Sequence, residues 1–298
     1  MLTALLLLAS LGLSFAAPAF EKRQAVNALP TDQIASYKPY TYYASAGYCE
    51  PAATLAWNCG ANCEANPGFQ PVASGGDGAA TQWWYVGYDA TLNTVIVSHQ
   101  GTGADKVIPI IEDVDIITEN LDSSLFPGVP SSIRVHQGFA DAQARSATDV
   151  LSAVQTALSQ FNASTVTTTG HSLGAAIALL DFVYLKPQLP TRTTVRMIGY
   201  GLPRVGNQEF ADYVDAQANG GITHITNKKD PVPILPGRFL GFHHPSGEIH
   251  IDEETSTWEA CPGQDNTSDL CTVGDVPDLF VSDAGDHDGP YDGVEIGC

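Results

Sequence analysis

Thr167-Thr168-Thr169-Gly170-His171-Ser172-Leu173-Gly174-Ala175-Ala176 joins two unlike stretches of chain. Upstream, Ser164–Thr169 is rich in β-branched residues, which favour an extended backbone. Downstream, Ala175–Leu185 (AAIALLDFVYL) is built of good helix formers. A serine between two glycines at a strand-to-helix junction is the nucleophile-elbow pattern. The turn is tight and its serine strained, so the flanking positions must be small for strand and helix to pass closely. The hydroxyl then stands above the sheet beside the first N–H groups of the helix, which favour a developing oxyanion. A bare G-x-S-x-G also occurs in ordinary turns; here both flanks supply the required context.

Working outward, strand-like and helix-like segments alternate. Gln82–Tyr88 and Thr94–Ser98 read as strands, with a hairpin turn in Gly87–Asn93. Residues 139–160 place Val150, Val154, Ala157 and Leu158 at helical spacing. Val195–Tyr200 and Ile222–Thr226 read as further strands around a helix over Asn207–Ala218. The pattern predicts an α/β fold with a mostly parallel sheet, and antiparallel strands at its N-terminal side. Residues 24–80 read as loop-rich with some helix, and the tail from about Glu248 as acidic, Gly-rich and irregular.

A serine hydroxyl is too weakly acidic to attack unaided, and needs a histidine base oriented by a carboxylate. In this fold the acid precedes the histidine, and both follow the serine. Asp230 is the best acid: it lies just past the strand ITHIT, at the carboxyl edge where sites of parallel sheets gather, and Pro231 and Pro233 stiffen the loop after it. Asp181, Asp212 and Asp215 fall on helices and read as solvated. His243, His244, His250 and His287 all remain as candidate bases, and spacing does not separate them.

The chain has 298 residues and 44% apolar content, enough for one large α/β domain. Residues 1–17 read as a secretory signal peptide, and 18–23, ending in Lys22-Arg23, as a pro-segment. Residues 24–298 then form a single mature domain of a secreted, extracellular protein. No later segment is long and apolar enough for a membrane span. Net charge is −20, and losing residues 1–23, which carry +1, would leave −21. Such a surface repels nucleic acid and anionic headgroups. The six cysteines suit disulfides in an oxidising compartment. Of 15 possible pairings, local spacing favours Cys59–Cys63 and Cys261–Cys271, leaving Cys49 with Cys298. Zinc-type ligand spacing is missing, so no metal is expected. Asn162 and Asn266 open N-x-S/T sequons and are candidate glycosylation sites.

Several pieces together resemble the fungal class 3 lipases, the secreted filamentous-fungal type that includes feruloyl esterases. They are Val135-His136-Gln137-Gly138-Phe139, Gly170-His171-Ser172-Leu173-Gly174, Gly199–Asn207 (GYGLPRVGN) and Asp230-Pro231-Val232-Pro233. The likeness runs from Ala46-Gly47-Tyr48-Cys49 to Ile296-Gly297-Cys298. It implies an α/β-hydrolase fold, Ser172 as nucleophile, Asp230 as acid and His287 as base. It places His243 or His244 in a loop near the site and supports Cys49–Cys298 and Cys59–Cys63, with Cys261–Cys271 found in some members. It also implies an oxyanion hole of Leu173 and Thr102, and a lid over roughly Ala104–Glu112, with Val114–Ile117 reading as a core strand. Two features depart from the family pattern: Ser98-His99-Gln100 before Gly101-Thr102, and the acidic Asp286-His287-Asp288.

The expectation is a carboxylic-ester hydrolase, foremost an acylglycerol lipase working through an acyl-enzyme without metal or organic cofactor. Its partner would be an ester at a lipid–water interface, and the protein a monomer. A feruloyl or other polysaccharide-side-chain esterase is the alternative. An inactive lipase-fold protein that binds lipid is the alternative of another class.

Overall fold

The computed structural model describes residues 25–103 and 118–298. The signal peptide and pro-segment, the lid and the strand over Val114–Ile117 lie outside the described residues. In chain order the main elements are β1 (Asn27–Ala28), α1 (Thr31–Ala46), α2 (Pro51–Ala56), α3 (Ala61–Glu64), β2 (Phe69–Gly75), β3 (Trp84–Asp89) and β4 (Thr94–His99). Next come β5 (Thr118–Glu119), β6 (Val135–His136), α4 (Gln137–Ala144), α5 (Ala147–Phe161), β7 (Thr165–His171), α6 (Leu173–Gln188) and β8 (Thr194–Tyr200). The chain closes with β9 (Gly206–Asn207), α7 (Gln208–Ala218), β10 (Ile222–Asn227), β11 (Phe242–His243), β12 (Glu248–Ile251), β13 (Trp258–Cys261) and α8 (Thr272–Asp275).

Nine strands form one sheet in the order β1-β13-β12-β10-β8-β7-β4-β3-β2. The central run β4-β7-β8-β10-β12 is parallel. β3 continues it antiparallel at one edge, as the sequence predicts, and β2, a seven-residue strand inside the stretch read as loop-rich, extends that edge. At the other edge β12, β13 and β1 also pair antiparallel, so the chain from Glu248 is not irregular throughout: its first residues complete the sheet. A smaller antiparallel sheet runs β11-β9-β6-β5.

Alternation along each strand feeds two cores. Val95 and Val97 of β4 and Val195 and Met197 of β8 pack into one cluster with α4, α5, α6 and α7. Ile96, Ile198 and Tyr200 point to the opposite face, against Tyr40, Tyr43 and Ala44 of α1. The helical pattern over 139–160 is two helices, because the chain breaks at Arg145-Ser146. Helix α6 is buried without interruption from Gly174 to Leu185, as suits a helix apolar on every face. Disulfides join Cys49–Cys298, Cys59–Cys63 and Cys261–Cys271. The first ties the end of the domain to the turn after α1.

Candidate active site

β7 delivers His171 and α6 begins at Leu173, so Ser172 is the single residue between strand and helix. Its backbone sits at φ 58°, ψ −127°, a strained conformation for a residue with a side chain. The glycines explain how the turn closes. A Cβ on Gly170 would lie 2.4 Å from the Gly174 carbonyl, and one on Gly174 would lie 2.3 Å from the His99 carbonyl oxygen. Ser172 N–H is fixed by the Tyr200 carbonyl at 2.9 Å. Its Oγ is buried and has no hydrogen-bond partner among the described residues.

Gly101 presses on the same turn: a Cβ there would lie 2.3 Å from the His171 carbonyl oxygen and 2.2 Å from Tyr48 Oη. Half-buried Thr102 is thereby carried past the residue that precedes Ser172. Leu173 opens α6, where the first N–H groups have no partner inside the helix.

Asp230 follows the end of β10. Its Oδ1 accepts from Val232 N–H at 2.8 Å, and its Oδ2 accepts from His287 Nδ1 at 2.8 Å. A carboxylate only accepts, so Nδ1 carries a proton, and Nε2 is the ring nitrogen left for the role of base. His287 is fully buried, and Nε2 has no partner among the described residues. The other candidate histidines lie elsewhere. His243 Nδ1 bonds Asp265 at 3.0 Å, His244 Nε2 donates to the Pro233 carbonyl at 2.8 Å, and His250 Nε2 meets Asp275 at 3.2 Å. His244 stacks on His224 with ring centroids 4.8 Å apart.

Three supporting residues were not singled out by the sequence reading. His171 lies with its ring centroid 4.3 Å from that of His287, and its Nε2 donates to the His287 carbonyl at 2.8 Å. That carbonyl also accepts from Tyr291 Oη at 3.0 Å. Tyr48 Oη bonds His171 Nδ1 at 2.7 Å. Burial, reinforced by the charge His287 would carry, holds the His171 ring well below the usual histidine range. A neutral His171 with its proton on Nε2 is therefore the form that satisfies both neighbours. Its adjacency to Ser172 was the available signal.

Asp181 is a correction. It is not solvated but fully buried, accepting from His99 Nε2 at 2.7 Å and from Gln143 Nε2 at 2.9 Å. Asp212 is exposed, whereas Asp215 is half-buried and holds Ser246 through its N–H at 2.8 Å and its hydroxyl at 2.7 Å. Of the two sequons, Asn162 is exposed, while the Asn266 side chain donates to the Pro262 carbonyl at 2.9 Å and accepts from Ser268 N–H at 3.0 Å.

A cleft of about 800 Å³ opens between the loop after Asp230 and the segment before His287, lined by Ile234, Leu235, Leu240, Val276 and two phenylalanines. Those two, Phe239 and Phe280, are 86% and 99% exposed. Ser172 and His287 do not line this cleft.

The sequence pattern of the lipases of class 3 matches residues 96–240, the span from β4 through the elbow to the Asp230 loop. A secreted mono- and diacylglycerol lipase 3 of Gibberella zeae is 34% identical over 72% of this chain and 68% of its own length. The chain belongs to the class 3 lipase family. A secreted mono- and diacylglycerol lipase LIP2 of Malassezia restricta is 33% identical over 68% of this chain. The match spans 62% of that relative's length, so this lipase-family chain covers less than two thirds of it. Among solved structures, Lip2 lipase from Yarrowia lipolytica superposes with a TM-score of 0.79 at 25% identity, covering 92% of this chain and 98% of that one. Lipase II from Rhizopus niveus gives 0.77 at 26% identity over 91% and 99%. The α/β-hydrolase architecture of the fungal lipases is thus this chain's fold.

Proposed function

We propose that this protein is a secreted carboxylic-ester hydrolase acting on acylglycerols, with Ser172 as nucleophile, His287 as base and Asp230 as the orienting acid. The observation that carries the reading is the buried Asp230–His287 hydrogen bond, which engages Nδ1 and leaves Nε2, like Ser172 Oγ, without a hydrogen-bond partner among the described residues.

His287 Nε2 takes the Ser172 proton as Oγ adds to the ester carbonyl carbon. The carbonyl electrons move onto oxygen, where Leu173 N–H and Thr102 receive the charge. Collapse expels the alcohol, which leaves with the proton from His287, and an acyl-serine remains. Water, deprotonated by the same Nε2, attacks the acyl-serine; fatty acid departs and Ser172 regains its proton. The Asp230 carboxylate stays ionised and stabilises the imidazolium formed in each half. The exposed Phe239 and Phe280 support an acyl substrate presented at a lipid–water interface. The relatives named as secreted mono- and diacylglycerol lipases support partial glycerides as substrates and export of the mature chain from the cell. Asn162, exposed after α5, is the better placed of the two glycan acceptors.

Initial rates on emulsified mono-, di- and triacylglycerols and on methyl ferulate test the reading. Turnover of acylglycerols well above that of the ferulate ester is expected. Hydrolysis of the ferulate ester alone would replace the proposal with the feruloyl esterase reading, and no turnover of any ester would remove it.

A further inference from the structure

The Asp230–His287 contact joins two loops separated by 57 positions, and something must hold those loops in register. The residues immediately before each member touch one another. Asn227 Nδ2 donates to the Asp286 carbonyl at 2.8 Å. Lys229 N–H donates to Asp286 Oδ2 at 3.2 Å, and Lys228 Nζ lies 3.5 Å from Asp286 Oδ1. Asp283 N–H returns a bond to the Lys229 carbonyl at 2.8 Å. We propose that Asn227, Lys228 and Lys229 bracket Asp286 and thereby position His287 against Asp230. This rests on the Ser172–His287–Asp230 reading above and adds positioning residues to it.

Two local features fit a device kept for placement. Lys228 adopts φ 46°, the left-handed region that a β-carbon disfavours. That turn aims the Lys229 N–H and the Lys228 side chain at one carboxylate. Asn227 is fully buried, yet its Oδ1 has no partner among the described residues. A buried amide whose carbonyl oxygen is left unpaired is a poor choice for stability alone. Its one donated bond goes to the backbone of the residue before His287. The bracket is anchored in turn, because Lys229 Nζ bonds the Asp275 side chain and, at 3.0 Å, the Asp275 carbonyl. Asp275 also meets His250 at 3.2 Å. The same contacts account for the acidic Asp286 beside His287: its carboxylate is directed to the lysine segment.

Positioning predicts a loss in turnover without a loss in substrate affinity. The test is steady-state hydrolysis of soluble p-nitrophenyl butyrate by N227A, D286A, D286N and the N227A/D286A double variant, with melting temperatures alongside. In folded N227A and D286A, kcat is expected to fall roughly ten- to hundredfold while KM stays within about twofold, as for a misplaced catalytic group. The double variant should lose little more than the worse single, since both cut one bracket. D286N keeps an acceptor for Lys229 N–H and the carbonyl for Asn227, so it should lose least. Should N227A fail to fold, D286A, at the more exposed end of the bracket, decides alone. A kcat within about twofold of the parent in the folded variants, or a rise in KM at unchanged kcat, would overturn the bracket. S172A separates the two levels: if S172A remains active the proposed chemistry fails, whereas inactive S172A with undiminished bracket variants defeats the bracket only.

Discussion

Among the described residues, two fully buried histidine–carboxylate pairs have nearly equal hydrogen-bond lengths. His287 meets Asp230 at 2.8 Å, and His99 meets Asp181 at 2.7 Å. In each, the second ring nitrogen has no partner among the described residues. They differ in which nitrogen is engaged and in what surrounds them. His287 gives Nδ1 to its carboxylate and leaves the outer Nε2 free, in loops packed on the Ser172 turn. His99 gives Nε2 to Asp181 and keeps Nδ1 inward, at the end of β4. Gln143 of α4 completes that second cluster, which bonds strand to helices. A buried His–Asp pair is thus not itself a site. Chemistry needs the free nitrogen to share a pocket with a strained hydroxyl and with donors for the oxyanion.

Breaking the first pair should have the largest effect. D230N leaves the ring in place but allows the wrong tautomer, and kcat on a soluble ester is expected to fall about 10⁴-fold with little change in melting temperature. A D230N enzyme within tenfold of the parent would make the two pairs equivalent. Breaking the second should show the reverse pattern. D181A leaves His99 and Gln143 unpaired in the core, and chemical denaturation should report a loss of about 3–5 kcal/mol. Enough folded protein should remain at low temperature to show nearly parental kcat. Replacing both members, as H99F/D181L, should recover part of that stability, because a buried pair often gives way to apolar side chains at little cost.

A smaller effect is expected where the two regions touch. The His99 carbonyl lies against Gly174, so G174A forces either the elbow or the end of β4 to move. A stability loss of about 1–3 kcal/mol is expected from such overpacking, together with reduced kcat. Unchanged activity would show that the elbow tolerates a Cβ there.

The smallest effect concerns pH. Burial is the chief reason that His224 is held down to about 4 and His244 down to about 3, against an ordinary 6.5. Above 6.5 both are neutral whether folded or not. As the pH falls from 6.5 towards 4, and on towards 3 for His244, the unfolded chain takes up protons that the folded one cannot. Stability therefore drops on acidification. Melting temperatures of H244Q at about pH 7.5 and about pH 5 should show a shallower fall than the parent. An equal or steeper fall would remove these rings from the account of acid sensitivity.

The elbow was legible because Gly170, Ser172 and Gly174 carry backbone requirements that the flanking composition announces. The parallel strands were legible because each is a short run of β-branched or apolar residues. The partners were less so. Spacing left His243, His244, His250 and His287 open, because no periodic pattern sets the path of the chain after Glu248; only the resemblance singled out His287. The far antiparallel edge was missed because Glu248–Ile251 and Trp258–Cys261 are four-residue strands in an acidic, Gly-rich setting. Asp181 was misjudged as solvated although the signal was present. Leu179, Leu180, Phe182 and Val183 surround it, and a helix apolar on every face leaves a charge no route to water, so a buried partner had to exist. His99, which breaks the family pattern before Gly101-Thr102, is that partner.

Covalent trapping tests the central claim most directly. The mature protein would be incubated with diethyl p-nitrophenyl phosphate, and the adduct weighed intact and mapped by peptide mass spectrometry. One diethylphosphoryl group on Ser172, with release of p-nitrophenolate and a rate that collapses in H287A, is the expected result. An adduct on another residue, or labelling of Ser172 just as fast in H287A, would contradict it.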